Sequence, residues 1–183
     1  MPQLVLKDLG KPANLLSLAR IPLAIAFPFA PSTGVALAIL VAGGMTDVLD
    51  GWVARRRGEA TALGAIVDPI ADKVFAATIV ATLVLRHLLP PWGIAALLAR
   101  EILEAPLLLW VLAHPPARRT RREEAKANVP GKLATVVQFV AVLAALALHS
   151  FLFSLLIASA VVGAFAGASY WHRELSWARL RDA

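Results

Sequence analysis

Cysteine is absent from this chain of 183 residues. Disulfides and thiolate metal ligation are therefore excluded, and any bound metal has to be held by oxygen or imidazole. Charge is scarce too. Only 16% of the residues are Asp, Glu, Lys or Arg, while 59% are hydrophobic; a soluble domain runs nearer a quarter charged and about half apolar. That is too little charge for a water-facing surface, and the composition reads as an all-α integral membrane protein. No internal repeat and no second domain is visible, so residues 1–183 read as a single membrane domain. The net charge is +6. Nucleic-acid binding would need a basic surface with stacking aromatics, which buried spans do not offer. The basic excess reads instead as positive-inside topology plus attraction to anionic lipid head groups.

Six apolar stretches are present, at residues 15–30, 34–54, 63–85, 92–113, 133–149 and 151–170. Each approaches the roughly 20 helical residues that a bilayer core requires, so six transmembrane helices are expected. The first has Arg20 near its start and no evident small-residue cleavage site after it; it reads as a span, not a secretory signal. Pro31-Ser32-Thr33-Gly34, Pro90-Pro91 and Pro115-Pro116 punctuate the pattern, since proline cannot continue a helix without losing a hydrogen bond. Fourteen of the 18 Lys and Arg precede the first span, follow the sixth, or lie between spans two and three or four and five. The other side carries only Arg86, and Arg20, Lys73 and Arg100 lie within spans. Positive loops stay inside, so both termini are expected in the cytoplasm of a cell-membrane protein. Residues 118–131 form the longest polar segment, read as a cytoplasmic surface helix or loop.

Six acidic residues fall inside these spans: Asp47, Asp50, Asp68, Asp72, Glu101 and Glu104. The four aspartates alone would cost on the order of 10 kcal/mol on insertion scales. Their spacing points to a compensation. Asp47 and Asp50 are i, i+3 and Asp68 and Asp72 are i, i+4, so each pair shares a helix face. The polar turn around Glu59 is expected to fold the two helices into a hairpin whose paired carboxylates meet. Four such groups cannot all stay ionised in a low dielectric without a counter-charge. Divalent cations are one source, and oxygen ligands without His or Cys suit Mg²⁺ or Mn²⁺. Two metals about 4 Å apart are a known clamp for phosphoryl transfer. A proton or cation pathway, as in a transporter, or pairing with Arg20, Lys73 and Arg100, are the alternatives.

Glycines let backbones approach and leave room for a ligand. Gly43-Gly44 and Gly51 flank the first acidic pair, and Gly64 faces them from the next helix. Arg55 stands one turn beyond Gly51, where its guanidinium could grip a phosphate in bidentate fashion. Together these residues look like a diphosphate cradle.

Written out, Asp47-x-x-Asp50-Gly51-x-x-Ala54-Arg55, eight residues, then Gly64-x-x-x-Asp68-x-x-x-Asp72 resembles at every fixed position the signature of the CDP-alcohol phosphatidyltransferases, integral membrane enzymes of phospholipid synthesis. The resemblance implies that Asp47, Asp50, Asp68 and Asp72 bind two divalent metals holding the diphosphate of a CDP-linked lipid. It implies that Asp72 is the catalytic base on the acceptor hydroxyl, which attacks the lipid-side phosphorus and expels CMP. Gly51, Arg55, Thr61 and Gly64 would belong to the CDP-lipid site, with Asn14 in an N-terminal element near the nucleotide. Dimerisation is plausible from the same resemblance.

The acceptor is read from shorter matches. Asp68-Pro69-Ile70-Ala71-Asp72-Lys73, Arg100-Glu101 and Gly131-Lys132-x-x-Thr135-x-x-Gln138 resemble the phosphatidylglycerophosphate branch or its cardiolipin-forming siblings. Glycerol 3-phosphate is the expected acceptor for CDP-diacylglycerol, with phosphatidylglycerol or another alcohol as the alternative. A phosphorylated acceptor needs cations, and Lys73, Arg100 and Lys132 are the candidates. Arg118, Arg119, Arg121 and Arg122 read as a solvated, lipid-attracting loop. His87, His114, His149 and His172 sit at predicted span ends and form no ligand-like pair. Most of the tryptophans lie near the expected interfaces, as aromatic belts do.

Overall fold

The computed structural model describes residues 10–57, 63–113 and 129–182. Among these residues every element is helical: α1 Pro12–Ala26, a short 3₁₀ turn Phe27–Phe29, α2 Thr33–Arg57, α3 Gly64–Leu85, α4 Pro91–Leu97, α5 Ala99–Ala113, α6 Val129–Ala147 and α7 His149–Asp182. They group into two compact units, Met1–Leu88 and Leu89–Ala183.

In the first unit the ends of the helices follow from a few residues. Pro12 sits in the first turn of α1, where a missing N–H is no loss. Ser32 caps α2, its Oγ accepting from the Val35 N–H at 3.3 Å. At the end of α3, Leu88 N–H reaches Leu83 O at 2.8 Å and His87 N–H reaches Val84 O at 3.0 Å. This is the Schellman pattern, with His87 at φ 58° in the left-handed position glycine usually takes. Arg86, the single basic residue expected on the far side, donates to Pro28 O at 2.7 Å and Ala30 O at 3.4 Å. Its charge thus satisfies carbonyls left open where α1 ends. α1 packs against both α2 and α3.

In the second unit α7 packs against α4, α5 and α6. Its contact with α5 depends on Gly163 and Gly167. A Cβ on Gly163 would lie 3.1 Å from the Arg100 backbone nitrogen, and one on Gly167 would lie 2.7 Å from Leu103 Cβ. This small-xxx-small spacing lets the two helix backbones approach. α6 turns a row of buried alanines inward, Ala134, Ala141, Ala144 and Ala145.

The expected spans hold in part. Among the described residues, four segments are long and apolar enough to cross a membrane: Pro12–Phe29, Thr33–Val53, Val129–Ala147 and His149–Ser176. α3 has 22 residues, a sufficient length, but carries Asp68, Asp72 and Lys73 within it. The expected fourth span is interrupted at Leu98, between α4 and α5. Leu97 O there accepts a hydrogen bond from the Gln138 side chain, and a polar group entering the backbone ladder is a common cause of a helix break. The last helix runs on to Asp182, 34 residues or about 50 Å, well beyond the expected end at 170.

Candidate active site

The face of α1 that is buried carries Ala13, Asn14, Ser17, Arg20 and Ala24. This stripe repeats at three to four residues and is small or polar, not greasy. It delivers Arg20, whose side chain is 0% exposed, into the midst of the four signature aspartates. Nη2 donates to Asp50 Oδ2 and, at 2.9 Å, to Asp68 Oδ1. Nη1 lies 3.4 Å from Asp47 Oδ1 and 3.7 Å from Asp72 Oδ1. The two acidic pairs do converge, as the spacing predicts. They converge on a guanidinium from a third helix, one of the counter-charges the sequence left open.

The four carboxylates are not equivalent. Asp50 is buried and also accepts from Ser17 Oγ at 3.0 Å. Asp47, Asp68 and Asp72 have side chains 56%, 46% and 58% exposed. One oxygen each from Asp47, Asp50 and Asp68 lies within 4.8 Å of the others, a group that could hold a metal ion. The donor set is carboxylate oxygen alone, which suits a hard cation. Arg20 brings one positive charge to a group of carboxylates whose all-oxygen donor set fits a divalent ion.

One side chain of α3 reaches α2 beside this group. Gly43 is one turn before Asp47, and Phe75 is one turn after Asp72. A Cβ on Gly43 would collide with the Phe75 ring, and that ring is 6% exposed. A side chain at position 43 would have to displace this ring.

Other expected site residues are placed as follows. Asn14 is buried on α1, 4% exposed, on the same face as Ser17 and Arg20. Gly51 adjoins Asp50 in α2, and Gly64 opens α3. Thr61 lies outside the described residues, as do the Arg55 side chain and the arginines of 118–122. Lys73, on α3, is exposed, as is Lys132, on α6. Arg100 is held within the second unit. Its guanidinium donates to Glu101 Oε1 at 2.6 Å, Thr135 Oγ1 at 2.8 Å and Gly131 O at 3.2 Å. Gln138 joins the same group through Glu101 Oε2 at 3.1 Å. Arg100 and Glu101 therefore pair within the second unit.

The site residues undervalued in the sequence were Ser17 and Arg20. The signal was there: Asn14, Ser17 and Arg20 recur at i, i+3, i+6 in an otherwise apolar stretch, which marks a polar face directed at protein, not lipid.

Comparison with known proteins decides the family. The profile of the CDP-alcohol phosphatidyltransferases matches residues 11–166. The chain belongs to the CDP-alcohol phosphatidyltransferase family. Among similar members, a cardiolipin synthase (CMP-forming) of Streptomyces coelicolor is 37% identical over 131 residues, covering 67% of this chain and 58% of that protein. A CDP-diacylglycerol–glycerol-3-phosphate 3-phosphatidyltransferase of Salmonella typhimurium is 36% identical over 117 residues, covering 62% of this chain and 61% of its own. A putative cardiolipin synthase of Mycobacterium tuberculosis is 36% identical over 103 residues, covering 53% and 49%. The chain thus spans less than two thirds of the length of these relatives. No solved structure matches it. In this phosphatidyltransferase-family chain the matched region includes α1, so Arg20 and Ser17 fall inside it along with the signature.

Proposed function

We propose that this protein transfers the phosphatidyl group of CDP-diacylglycerol to glycerol 3-phosphate, forming phosphatidylglycerophosphate and releasing CMP. The observation that carries the proposal is the convergence of Asp47, Asp50, Asp68 and Asp72 around one point of the first unit. Family membership supports the reaction class, and the Salmonella relative's name supports the acceptor.

The chemistry assigns a task to each residue. Asp47, Asp50, Asp68 and Asp72 would hold two divalent ions, Mg²⁺ or Mn²⁺. Bound there, such ions would neutralise charge on the diphosphate and on the departing CMP. Gly51 and Gly64 leave room for the CDP group, Arg55 and Thr61 contact it, and Asn14 stands toward the nucleotide. The acceptor hydroxyl oxygen forms a bond to the lipid-side phosphorus while the bond from that phosphorus to the CMP oxygen breaks. The hydroxyl proton passes to a carboxylate oxygen of Asp72. Two features favour Asp72 for that step: it is the most exposed of the four side chains, and its contact with Arg20 is the longest. Among the acceptor candidates, Lys73 adjoins Asp72, while Arg100 and Lys132 rest on the sequence resemblance. The apolar helices and the basic loops support a multi-pass protein of the cell membrane with this site facing the cytoplasm.

A second acceptor is favoured by a specific observation: cardiolipin synthases are comparably similar to the chain. Phosphatidylglycerol would then replace glycerol 3-phosphate. Purified protein in mixed micelles with CDP-diacylglycerol and each acceptor in parallel separates the readings. Phosphatidylglycerophosphate with stoichiometric CMP is expected. CMP release only with phosphatidylglycerol would shift the assignment to cardiolipin, and no CMP with any alcohol would favour ion transport.

A further inference from the structure

We infer that Arg20 is a built-in counter-ion of the carboxylate cage, competing with divalent cations for the oxygens of Asp50 and Asp68 and so setting how tightly the cage binds them. The inference rests on the proposed metal-holding role of these aspartates.

The geometry is specific. Arg20 lies on α1, outside the acidic signature, and is fully buried. A single nitrogen, Nη2, is shared between Asp50 Oδ2 and Asp68 Oδ1. The carboxylates it engages, Asp50 and Asp68, are two of the three that could hold an ion. A guanidinium stays charged at any physiological pH, and its planar fork can serve several carboxylates at once. A cation entering the cage therefore meets a positive group already bonded to two of its carboxylates. The contacts are also graded. Asp50 is doubly held, by Arg20 and by Ser17 Oγ, while Asp47 and Asp72 are met only at 3.4 and 3.7 Å. Asp50 is thus the anchor of the guanidinium, and the more exposed Asp68 is the ligand it can yield.

The charge has two opposed effects. Without a divalent ion Arg20 offsets repulsion among four close carboxylates, which favours the folded first unit. With one, the same charge weakens binding, because cation and guanidinium repel each other across a few ångströms of low dielectric. Removing it should therefore lower stability in chelator and raise cation affinity. A residue that only packed would lower stability and leave affinity alone. A residue that only pre-arranged the ligands would, on removal, weaken affinity.

The test uses the full chain, purified in detergent micelles, as wild type, Arg20→Lys and Arg20→Gln. Mn²⁺ binding is read by the loss of the free-ion paramagnetic resonance signal, and unfolding midpoints are taken in chelator and in saturating Mn²⁺. Arg20→Gln is expected to bind Mn²⁺ tighter by on the order of tenfold. It should also show a lower midpoint in chelator and a larger gain with Mn²⁺, as linkage requires. Arg20→Lys keeps the charge but not the fork, and is expected to fall between the two. It carries the test alone if Arg20→Gln does not fold: tighter binding than wild type supports the inference. Equal or weaker Mn²⁺ binding in the folded variants overturns the counter-ion role while leaving the metal site standing. Failure of the wild type to bind Mn²⁺ at all overturns the metal site itself.

Discussion

The ring of Phe75 on α3 occupies the space where Gly43 of α2 would carry a side chain. The two residues stand one helical turn from Asp72 and Asp47 respectively, so the contact lies beside the acidic pairs. Gly43→Ala should force the buried ring aside and lower stability by about 1–3 kcal/mol, the usual cost of overpacking. Trimming the ring as well, in Gly43→Ala/Phe75→Leu, should recover part of the loss. Unfolding midpoints of these two variants and of Phe75→Leu check this, and independent, additive effects would contradict the contact.

Asp68→Asn and Asp72→Asn keep shape but remove charge. Each should reduce CMP release by at least about 10²-fold, the lower range for loss of a positioned acid–base group, while the protein still enters the membrane fraction. Full turnover in either variant would remove that residue from its assigned role.

Chelation offers a simpler check. EDTA should abolish CMP release, and excess Mg²⁺ or Mn²⁺ should restore it, because the donor set is carboxylate oxygen alone. Undiminished activity in EDTA, after exhaustive dialysis, would disprove the metal dependence.

Within the second unit Gln138 bonds Leu97 O and Glu101, joining α6 to the break between α4 and α5. Gln138→Leu leaves both of those acceptors without this donor. A loss of about 0.5–2 kcal/mol in stability is expected, in the range for interhelical hydrogen bonds in membranes, measured by thermal unfolding in micelles. A neutral or stabilising result would mean the break does not depend on Gln138.

Lys132 is exposed on α6 and is proposed to meet the acceptor's phosphate. Lys132→Ala should raise KM for glycerol 3-phosphate severalfold or more while leaving KM for CDP-diacylglycerol near its original value. Equal changes in both would place the residue elsewhere in the mechanism.

Much of this protein is legible from residue order because the controlling signals are local. Apolar length, proline punctuation and the i, i+3 and i, i+4 aspartates need no knowledge of distant neighbours: helix geometry alone puts each acidic pair on one face. The family signature is legible for the same reason, being confined to residues 47–72. Which cation answers those carboxylates is a different kind of question. Arg20, Lys73 and Arg100 were equal candidates by composition. The choice of Arg20 follows from α1 packing against both α2 and α3, a contact between segments some 30 to 50 residues apart. Likewise, nothing near Leu98 announces a helix break, because the polar group at that carbonyl comes from Gln138 on another helix. Periodicity determines which face each helix offers. Only the packed chain decides which faces meet, since a side chain's counter-charge or hydrogen-bond partner depends on distance in space and not on separation along the sequence.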